Sequence, residues 1–447
     1  MGAAALPGGL FGSCGVRGVV GDLITDDVVL RLAASFAHYI GSGRRVCVGR
    51  DTRRSGPSLE ALLVGELVRH GLQVTKLGVV ATPTLYYLTR ELGFDAGVMI
   101  TASHNPPEYN GFKFCNAEGM SVDQAPIERG FFSPPDVGCV NPGMVDSLSG
   151  AELFFDKLSS ICSPPLSRKK LVVDCACGPN SLYLPGFLRN EGHDVITCNC
   201  EPDVEKCDRV VEPMESTLTK TVNLLKQVQA DGGVCFDGDN DRVVFLDNKG
   251  FLGFQRANAI IAMIVLEQTG GGEVIGSVET GRYVEEAVKR AGSTLRRTIV
   301  GDIHIAREVK ERGAVLGLEE CGHYIVPSIG HFSSTVYPAT LLLGNRDINQ
   351  IRDELSFIPP IYSAERRVDC GDDRKQVVGE GVTRRILSLD GRATTIDGVR
   401  MEWDDGWLLV RPSGTSPYMK INAEAFSRDR LDELLATGLG IVQEALR

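Results

Sequence analysis

Residues 96–107, AGVMITASHNPP, join an apolar segment to a short polar loop. Residues 96–101 have the apolar character of a buried strand, and Ser103 follows two residues after its end. Pro106 and Pro107 then make the loop rigid. A serine hydroxyl on such a loop can act as a nucleophile or carry a phosphoryl group when neighbouring charge is neutralised. Taken alone, the loop is more typical of an ordinary turn, and it lacks the G-x-S-x-G pattern of hydrolases.

Two basic residues stand close to this serine in the sequence. His104 is its immediate neighbour, although neighbours in a strand-end loop often point apart. Lys113 follows on the far side of the two prolines, and it could be a surface lysine or a proton-transfer group. Considered by itself, Lys113 is better explained as a surface residue.

Strand-like runs alternate with helical patterns on both sides of this loop. The expected strands include residues 45–50, 74–80, 170–174, 195–198, 234–236, 243–247 and 273–278. The expected helices include residues 58–70, 283–291 and 303–312. This alternation predicts α/β units with mostly parallel sheets.

The pattern changes after the breaker FIPP at residues 357–360. Short strands are expected beyond it at residues 393–396, 399–403, 407–411 and 419–423, and a helix near 430–446. The last part of the chain is therefore predicted to be a separate α+β domain. With further breaks at residues 133–143 and 246–255, the predicted domains are 1–150, 151–255, 256–364 and 365–447.

The composition is that of a soluble globular protein rather than a fibrous, disordered or membrane protein. Hydrophobic residues make up 43% and charged residues 23% of the chain, and no apolar run reaches the ~20 residues that span a membrane. The formal net charge of −11 disfavours a nucleic-acid partner but allows a small anionic ligand in a locally basic pocket. The first residues lack a signal-peptide pattern, so a cytoplasmic protein is expected.

The 13 cysteines are scattered and odd in number, which favours reduced thiols over a disulfide framework. Cys175 and Cys177 are separated by one residue, as are Cys198 and Cys200. A structural zinc site would usually show C-x-x-C pairs, which this sequence lacks. Buried thiols are therefore preferred to a metal site at these positions.

The hexapeptide DGDNDR places Asp237, Asp239 and Asp241 at every second position. Carboxylates in this arrangement suit a hard divalent cation. An EF-hand loop would need Gly and Glu at the positions of Arg242 and Asn248, and its flanks would be helices, so that loop is excluded. The flanking runs are apolar, which argues against a solvated acidic turn. The hexapeptide therefore predicts a metal site.

Two further loops carry polar groups of a kind that bind sugars and phosphates. Residues 317–323, GLEECGH, hold carboxylates and an imidazole that could bond sugar hydroxyls or transfer protons, although alone they favour an ordinary turn. Residues 411–417, RPSGTSP, combine Arg411 with hydroxyls and a Gly-opened backbone at the end of a strand. These groups are typical of a phosphate cradle, but the G-K-[ST] of a Walker loop is missing.

A serine loop, a metal loop, a sugar-type loop and a phosphate loop therefore occur in order along the whole chain. In this combination the chain resembles the α-D-phosphohexomutase superfamily, which includes phosphomannomutase/phosphoglucomutase and phosphoglucosamine mutase. The resemblance extends to FGSCGVRG at residues 11–18 and GRDTR at residues 49–53. It implies an α/β fold of four domains around a central cleft, three α/β mixed-sheet domains and a C-terminal α+β domain.

The resemblance also implies a role for each matching residue. The implied catalytic residues are Ser103, which would carry the phosphoryl group, Arg17, Lys113 and His323. The implied Mg²⁺ ligands are Ser103, Asp237, Asp239 and Asp241. The implied substrate-binding residues are Arg242, Glu319, Cys321, His323, Arg411, Ser413, Gly414 and Thr415.

The implied activity is the interconversion of hexose 1-phosphate and hexose 6-phosphate, an isomerase reaction by intramolecular phosphotransfer. It would proceed through a phosphoserine and a hexose 1,6-bisphosphate, which is both intermediate and activator. The expected partner is a small phosphosugar, without nucleic acid or membrane, in a monomer or homodimer. Two alternatives come from other classes: a non-catalytic sugar-phosphate sensor, and a phosphatase with Asp237 as nucleophile.

The motifs give conflicting indications of the sugar. Residues 106–113 and 17–21 resemble phosphomannomutase/phosphoglucomutase and favour mannose and glucose phosphates by a narrow margin. Residues 300–302 and 411–415 resemble phosphoglucosamine mutase and keep the glucosamine phosphates as a close alternative.

The chain departs from the family pattern at several places. Cys321 stands where a serine that often contacts ligand is usual, which puts the sugar preference in doubt. Asn240 stands where Gly or Ala is common, but the ligand positions around it are intact. Residues 333–335, SST, replace an acidic-Gly stretch, and the sequence offers no reason for that change.

Overall fold

The computed structural model describes residues 11–12, 15–133, 141–162, 167–414 and 416–447. These residues belong to two compact units. The first unit combines residues 11–257 with Cys321–Ile351, and the second combines Asn258–Glu320 with Arg352–Arg447.

The first part of the chain forms a seven-stranded sheet with helices packed on it. The strands are β1 (Phe11–Gly12), β2 (Gly15–Val19), β3 (Arg45–Arg50), β4 (Gln73–Val79), β5 (Ala96–Ile100), β6 (Tyr109–Asn116) and β7 (Val145–Ser147). The helices are α1 (Asp26–Ile40), α2 (Gly56–Arg69), α3 (Thr82–Glu91) and α4 (Ala125–Phe132). The strand order is β1-β2-β6-β5-β3-β4-β7. In this order, the neighbouring strands β1, β2, β6 and β5 pair antiparallel, and the neighbouring strands β5, β3, β4 and β7 pair in parallel.

Helices α1 and α2 pack on this sheet because their apolar side chains recur at helical spacing. Helix α1 begins after Thr25, whose hydroxyl accepts a hydrogen bond from the Val28 N–H. In α2, Leu59, Leu63 and Leu67 are buried on one face. Strand β5 is buried along its whole length, so the loop that follows it starts from a rigid support inside the sheet.

The next part of the chain forms a five-stranded sheet in the order β12-β11-β10-β8-β9. Its strands are β8 (Lys170–Asp174), β9 (Asp194–Cys198), β10 (Gly232–Phe236), β11 (Val243–Asp247) and β12 (Gly250–Phe251). Its helices are α5 (Ala151–Ile161), α6 (Leu184–Asn190) and α7 (Thr219–Gln227), with 3-10 turns at Pro179–Leu182 and Val204–Lys206. Strands β10 and β11 are an antiparallel pair, and the turn between them carries the acidic hexapeptide.

The third part alternates strands and helices. Its elements are α8 (Phe254–Thr269), β13 (Glu273–Ser277), α9 (Arg282–Arg290), β14 (Thr294–Thr298), α10 (Asp302–Arg312), β15 (Leu316–Leu318), β16 (Tyr324–Ile325), α11 (Val336–Asn345) and α12 (Ile351–Glu354). Strand β13 pairs in parallel with β14 on one side and with β15 on the other. Helix α10 ends at Gly313, whose left-handed backbone (φ 64°) is a conformation that glycine adopts without strain.

The last part of the chain is an antiparallel sheet covered by two helices. The strands are β17 (Tyr362–Asp369), β18 (Arg392–Thr394), β19 (Val399–Trp403), β20 (Gly406–Pro412) and β21 (Tyr418–Ala425). The helices are α13 (Lys375–Ile386) and α14 (Arg428–Leu446). The strand order is β17-β21-β20-β19-β18, and the two helices share one apolar core with the sheet.

The predicted fold class is confirmed, because α/β parts precede a terminal antiparallel α+β part. Strands predicted at residues 45–50, 170–174, 243–247 and 399–403 have those bounds in the structure. The sequence patterns did not indicate β6, because the strand is buried on both faces and its buried residues include the polar Asn110 and Lys113, so that no apolar run marks it. No helix in the described part of the chain is long and apolar enough to cross a membrane.

Candidate active site

Ser103 lies on the loop that leaves the carboxyl end of β5. Its side chain is buried, and its backbone is left-handed, with φ at 51°. The Ser103 N–H donates a hydrogen bond of 2.8 Å to the Thr101 Oγ1, which holds this conformation. A non-glycine residue with positive φ stores strain and persists only where the surroundings impose it. The loop is therefore built to present one hydroxyl in one direction.

The buried guanidinium of Arg53 holds the serine loop in place. Its Nε donates to the Asp51 Oδ2 at 3.1 Å, which neutralises the charge. Its terminal nitrogens donate to the backbone carbonyls of Pro106 (2.5 Å), Tyr109 (2.8 Å), Ser103 (2.9 Å) and Asn105 (2.7 Å). Only the fixed five-donor fork of Arg can satisfy so many acceptors at once. The GRDTR motif thus has a structural role that its sequence did not reveal.

The acidic hexapeptide between β10 and β11 approaches the serine loop very closely. The Ser103 Oγ donates a hydrogen bond of 3.0 Å to the Asp237 Oδ2. A Cβ on Gly238 would stand 2.4 Å from the Ser103 carbonyl oxygen, so only glycine allows the two loops to meet.

The carboxylates of Asp237, Asp239 and Asp241 point to one place. Each offers an oxygen, and these oxygens all lie within 4.8 Å of one another. All three side chains are buried. Burial raises the pKa of Asp237 well above its ordinary value, and repulsion from Asp241 and Asp239 adds to the rise.

This donor set fits a divalent cation. The Asp239 Oδ1 is buried and accepts no hydrogen bond from the residues that the structure describes. A buried, unpaired carboxylate oxygen is costly unless a cation or donor satisfies it. Oxygen donors alone are the preference of Mg²⁺ and Ca²⁺ rather than of softer metals. With the Ser103 Oγ beside them, the residues predicted as metal ligands are gathered in one place.

Lys113 is buried and not at the surface. It lies on β6 opposite Met99 of β5, and its Nζ donates to the Asp239 Oδ2 at 2.7 Å and the Asp241 Oδ2 at 2.5 Å. Burial alone would lower the pKa of Lys113, but the two carboxylates raise it well above its ordinary value. The interpretation of Lys113 as a surface lysine is therefore wrong, and its ammonium offsets part of the acidic cluster.

Two histidines flank the acidic cluster and differ in their surroundings. The His323 Nε2 lies 3.3 Å from the Asp241 Oδ1, and its Nδ1 lies 3.5 Å from the Cys321 Sγ. Although burial opposes protonation, Cys321 and Asp241 raise the pKa of His323. The His104 Nδ1 lies 3.4 Å from the Ser103 Oγ, so the two neighbours do not point apart. Burial and the positive charge of nearby arginines lower the pKa of His104 to about 2, which keeps it neutral.

Two arginines expected at the site differ in how they are engaged. The Arg242 N–H donates to the Asp237 Oδ1 at 3.1 Å, and its guanidinium pairs with Glu212 at 3.1 Å. Arg17, on β2 opposite Gly111 of β6, is half-buried. Within the described ranges its guanidinium forms no hydrogen bond or ion pair, so its five donors are available for an anionic ligand.

Hydroxyls distant in the sequence support the backbone of the acidic hexapeptide. The Ser333 Oγ donates to the Asp241 carbonyl at 2.8 Å, and the Thr335 Oγ1 donates to the Asn240 carbonyl at 2.8 Å. The Thr82 Oγ1 donates to the Asp239 Oδ2 at 2.6 Å. These contacts give the SST run at residues 333–335 a function, because it positions the metal loop. Thr82, Ser333 and Thr335 therefore support the site in a way that sequence reasoning missed.

Asn240 also positions the loop. Its φ is 59°, and its Nδ2 donates to the carbonyls of Asp237 (2.7 Å) and Cys175 (3.1 Å). Its Oδ1 accepts a hydrogen bond of 2.7 Å from the Asn180 N–H. Asn tolerates the left-handed backbone better than other non-glycine residues, and here its amide replaces the flexibility of a glycine with fixed contacts.

The second compact unit carries the remaining predicted substrate residues. The Arg411 Nε lies 3.1 Å from the Glu279 Oε1, and its NH1 lies 3.3 Å from the Asp397 Oδ2. The Ser413 Oγ accepts a hydrogen bond of 3.1 Å from the Ser416 N–H. Gly414 is exposed, and a Cβ there would meet nothing within 4 Å. Thr415 lies outside the described residues.

Glu319, also in the second unit, has partners of its own. Its Oε1 accepts a hydrogen bond of 2.7 Å from the Gly301 N–H, just before α10, and its carbonyl accepts one of 3.1 Å from the Asn258 Nδ2. The favourable end of a helix dipole therefore stabilises this carboxylate. The structure thus gathers Ser103, the aspartates, Lys113, Arg242, Cys321 and His323 in the first unit, with Glu319, Arg411, Ser413 and Gly414 in the second.

Four consecutive domain families describe this sequence. Residues 8–131, 152–250 and 256–345 match phosphoglucomutase/phosphomannomutase alpha/beta/alpha domains I, II and III, and residues 367–437 match the C-terminal domain. The chain belongs to the phosphoglucomutase/phosphomannomutase family. The four matches follow one another along the chain between residues 8 and 437.

Relatives of the phosphoglucomutase/phosphomannomutase family match over nearly their whole length. A probable phosphoglucosamine mutase of Methanopyrus kandleri is 36% identical over 98% of this chain and 99% of the relative. A phosphoglucomutase/phosphomannomutase of Thermococcus kodakarensis is 33% identical over 98% of this chain and 100% of the relative. The crystal structure of a family protein from Burkholderia thailandensis has a TM-score of 0.86 at 25% identity, over 97% of each chain.

The close approach of the two loops predicts the effect of Gly238→Ala. The added Cβ would press on the Ser103 carbonyl, and backbone must move to relieve a 2.4 Å contact. We expect divalent-metal affinity, measured by titration calorimetry with Mg²⁺ or Mn²⁺, to fall about tenfold or more. Gly65→Ala in α2 is the matched control, since its Cβ meets nothing within 4 Å. Equal metal affinity for Gly238→Ala and Gly65→Ala would show that the close approach of residue 238 to the Ser103 carbonyl does not constrain the metal site.

The support from residues 333–335 predicts the effect of Thr335→Val, which keeps the shape but removes the hydroxyl. The Asn240 carbonyl then loses its donor, and we expect metal affinity to fall by about tenfold. Thr437→Val removes a comparable hydroxyl bond, to the Glu433 carbonyl of α14, and should leave metal affinity unchanged. A Thr335→Val variant that binds Mg²⁺ as tightly as the unchanged protein would contradict the assignment.

Proposed function

We propose that this protein is a phosphohexomutase that interconverts hexose 1-phosphates and hexose 6-phosphates. One observation carries the proposal: the Ser103 Oγ, on a left-handed backbone, donates a 3.0 Å hydrogen bond into a cluster of three buried aspartates. A serine beside a metal-binding cluster suits phosphoryl transfer, because catalysis of that reaction is mainly positioning and neutralisation of charge. Membership of the family and the names of its relatives support the same activity.

In the proposed reaction Ser103 alternates between its free and phosphorylated forms. The phosphoserine donates its phosphoryl group to the free hydroxyl of the bound sugar phosphate, which gives a hexose 1,6-bisphosphate. The bisphosphate then returns the phosphoryl group from its other end to the Ser103 Oγ. The two transfers together consume no phosphate, so isomerisation requires no other phosphoryl donor once Ser103 is phosphorylated.

The acidic residues would hold Mg²⁺ together with the side chain of Ser103. When bound, the ion would offset negative charge on the transferring phosphoryl group. Arg17 lies on β2, its guanidinium is unpaired among the described residues, and it would add positive charge there. Lys113 and His323 are the groups that would hold or move protons, since each already bonds an aspartate of the cluster.

The residues implied in substrate binding fall into two groups by their chemistry. We assign the phosphate that does not react to Arg411, Ser413, Gly414 and Thr415, and the sugar hydroxyls to Glu319, Cys321, His323 and Arg242. Arg411 is suited to this role because its guanidinium makes one contact each with Glu279 and Asp397, and a phosphate could replace them with a bidentate contact. A hexose 1-phosphate and a hexose 6-phosphate present the same phosphate group, so one cradle can serve both.

Glucosamine phosphates are the second candidate substrates, beside those of mannose and glucose. The run at residues 106–113 favours mannose and glucose, whereas the relative that is 36% identical is named a probable phosphoglucosamine mutase. The three sugars differ at carbon 2, so competition between them in one assay ranks them directly.

The proposed function predicts the behaviour of Ser103→Ala. With Mg²⁺ and a trace of hexose 1,6-bisphosphate, the unchanged protein should convert glucose, mannose or glucosamine 1-phosphate to the 6-phosphate, followed by ³¹P NMR. Ser103→Ala should lower turnover by about a thousandfold or more, because no other hydroxyl occupies its place. Ser160→Ala, at an exposed hydroxyl of α5, should keep full activity.

Other results of this assay would point elsewhere. Conversion by Ser103→Ala at the normal rate would refute the phosphoserine route. Absence of conversion and of phosphoserine in the unchanged protein would favour the sugar-phosphate sensor. Steady release of inorganic phosphate would favour the phosphatase.

The thiol of Cys321, in the loop at residues 317–323, predicts the effect of Cys321→Ser. A hydroxyl is a stronger hydrogen-bond donor than a thiol, so contact with a sugar hydroxyl should improve by about 1 kcal/mol. We expect kcat/KM for the preferred hexose phosphate to rise about fivefold in Cys321→Ser. Cys162→Ser, at a half-buried thiol that bonds Thr340, should not change kcat/KM. If kcat/KM stays the same in both variants, Cys321 does not contact the sugar.

A further inference from the structure

Two cationic side chains lie next to each other in the antiparallel sheet of the last part of the chain. Arg411 on β20 is the register partner of Lys420 on β21, and both residues are partly exposed. Register partners in an antiparallel pair carry their side chains on the same face of the sheet, and like charges in this arrangement are destabilising. An anion between the guanidinium and the ammonium relieves that repulsion.

A single carboxylate oxygen, the Glu279 Oε1, bridges the two cations. It accepts a hydrogen bond of 3.1 Å from the Arg411 Nε and lies 3.0 Å from the Lys420 Nζ. Glu279 follows two residues after the end of β13, and it is partly exposed. The carboxylate therefore occupies one of the donors of Arg411 to which a substrate phosphate would bind in the role proposed above.

The other two carboxylates that contact these cations have further partners. Asp397 lies 3.3 Å from the same guanidinium, and its Oδ2 also accepts a hydrogen bond of 3.2 Å from the Val300 N–H. Glu365 lies 3.0 Å from the same ammonium, and it also lies 2.6 Å from the Arg367 Nε. The Glu279 carboxylate has no hydrogen bond or ion pair beyond the two cations in the described part of the chain. Of the three carboxylates, Glu279 therefore loses the fewest contacts when an incoming anion takes its place.

Hydrogen bonds fix the backbone that carries Glu279, whereas its side chain can rotate. The Val278 N–H donates to the Thr298 carbonyl at 2.9 Å, and the Val278 carbonyl accepts a hydrogen bond of 2.6 Å from the Arg400 NH1. The Glu279 N–H donates to the Ser277 Oγ at 3.2 Å. Glutamate has several side-chain torsions, so rotation about them can withdraw the carboxylate without any movement of β13.

Under the proposed function, Arg411 must release one phosphate and accept another in every turnover. The phosphate that Arg411 holds during the first transfer is the one that returns to Ser103 in the second transfer. Release of a phosphate is slow when it leaves positive charge unpaired, because an uncompensated charge is costly. An anion of the protein that replaces the departing phosphate removes this cost.

We propose that Glu279 is a positioning residue that serves as an internal counter-ion, pairing with Arg411 and Lys420 whenever the substrate phosphate leaves and withdrawing when a phosphate binds. This role rests on the proposed function, which assigns the non-reacting phosphate to Arg411. No covalent bond changes in the exchange, since one anion replaces another on the same guanidinium. Glu279 thereby weakens phosphate binding and speeds phosphate release.

Phosphate affinity tests this role without any measurement of turnover. Titration calorimetry of the magnesium-loaded full chain with inorganic phosphate should show about tenfold tighter binding in Glu279→Gln, because the amide keeps the shape but carries no charge that competes for the cations. Glu273→Gln is the matched control and should leave phosphate affinity unchanged, since Glu273 lies on the same strand and pairs with two other cations, Arg296 and Arg312. Arg411→Gln should abolish the binding that Glu279→Gln strengthens, which identifies the phosphate as the one held by Arg411.

Turnover gives a second readout, which depends on the proposed function. In Glu279→Gln both KM for the hexose phosphate and kcat should fall, KM by about tenfold, because the phosphate binds more tightly and leaves more slowly. Glu279→Asp keeps the charge on a shorter side chain and should give intermediate values, so it carries the test if Glu279→Gln fails to fold.

A purely structural role for Glu279 predicts the opposite sign, weaker phosphate binding in the variants. Phosphate affinity that is unchanged or lower in both Glu279→Gln and Glu279→Asp would overturn the proposal, as would unchanged KM and kcat in an active enzyme. Tighter phosphate binding in Glu279→Gln, together with no hexose phosphate turnover in the unchanged protein, would support the counter-ion and refute the proposed function alone.

Discussion

The mutual repulsion of three buried carboxylates is the constraint on which the rest of the first unit depends. Asp237, Asp239 and Asp241 are brought together by the turn between β10 and β11, which leaves all three buried. Positive charge must therefore come from the surroundings, and Lys113 supplies it from the neighbouring sheet, two strands from the edge. The antiparallel pairing of β5 with β6 is what delivers that ammonium to the cluster.

Strained backbone at two points is held by networks of ordinary hydrogen bonds. Ser103 and Asn240 both adopt positive φ, and each such residue costs on the order of 1–3 kcal/mol. Arg53 offsets the strain on the serine loop by donating hydrogen bonds to four backbone carbonyls. The side-chain amide of Asn240 offsets the strain on the metal loop by donating to two carbonyls. Both clamps are buried and rigid, which suits a reaction in which positioning counts for more than covalent chemistry.

The sequence predicts features that depend on neighbouring residues and misses those that depend on distant ones. The strands at residues 170–174 and 243–247 can be predicted from apolar runs that end at polar residues. The metal-binding cluster can be predicted from the spacing of the three aspartates in the hexapeptide. Considered by itself, Lys113 was interpreted as a surface lysine, because nothing local shows that β6 is buried on both faces, and only the family resemblance assigned it to the site. Thr82 and Thr335 bond the metal loop across 157 and 95 positions, and no periodic pattern records such contacts. The SST run therefore looked like the loss of the family's acidic-Gly stretch, although it supplies hydroxyl donors to the metal loop.

The unpaired Asp239 Oδ1 also has a thermodynamic meaning. A native state that carries an unsatisfied, repulsive cluster gains more from a bound cation than its unfolded chain does, because the unfolded chain separates the three charges. Cation binding and folding are then linked equilibria, and each tenfold rise of free cation above its dissociation constant adds about 1.4 kcal/mol to the free energy of unfolding. The site that prepares the enzyme for chemistry thus also makes its conformational stability a function of the ionic composition around it.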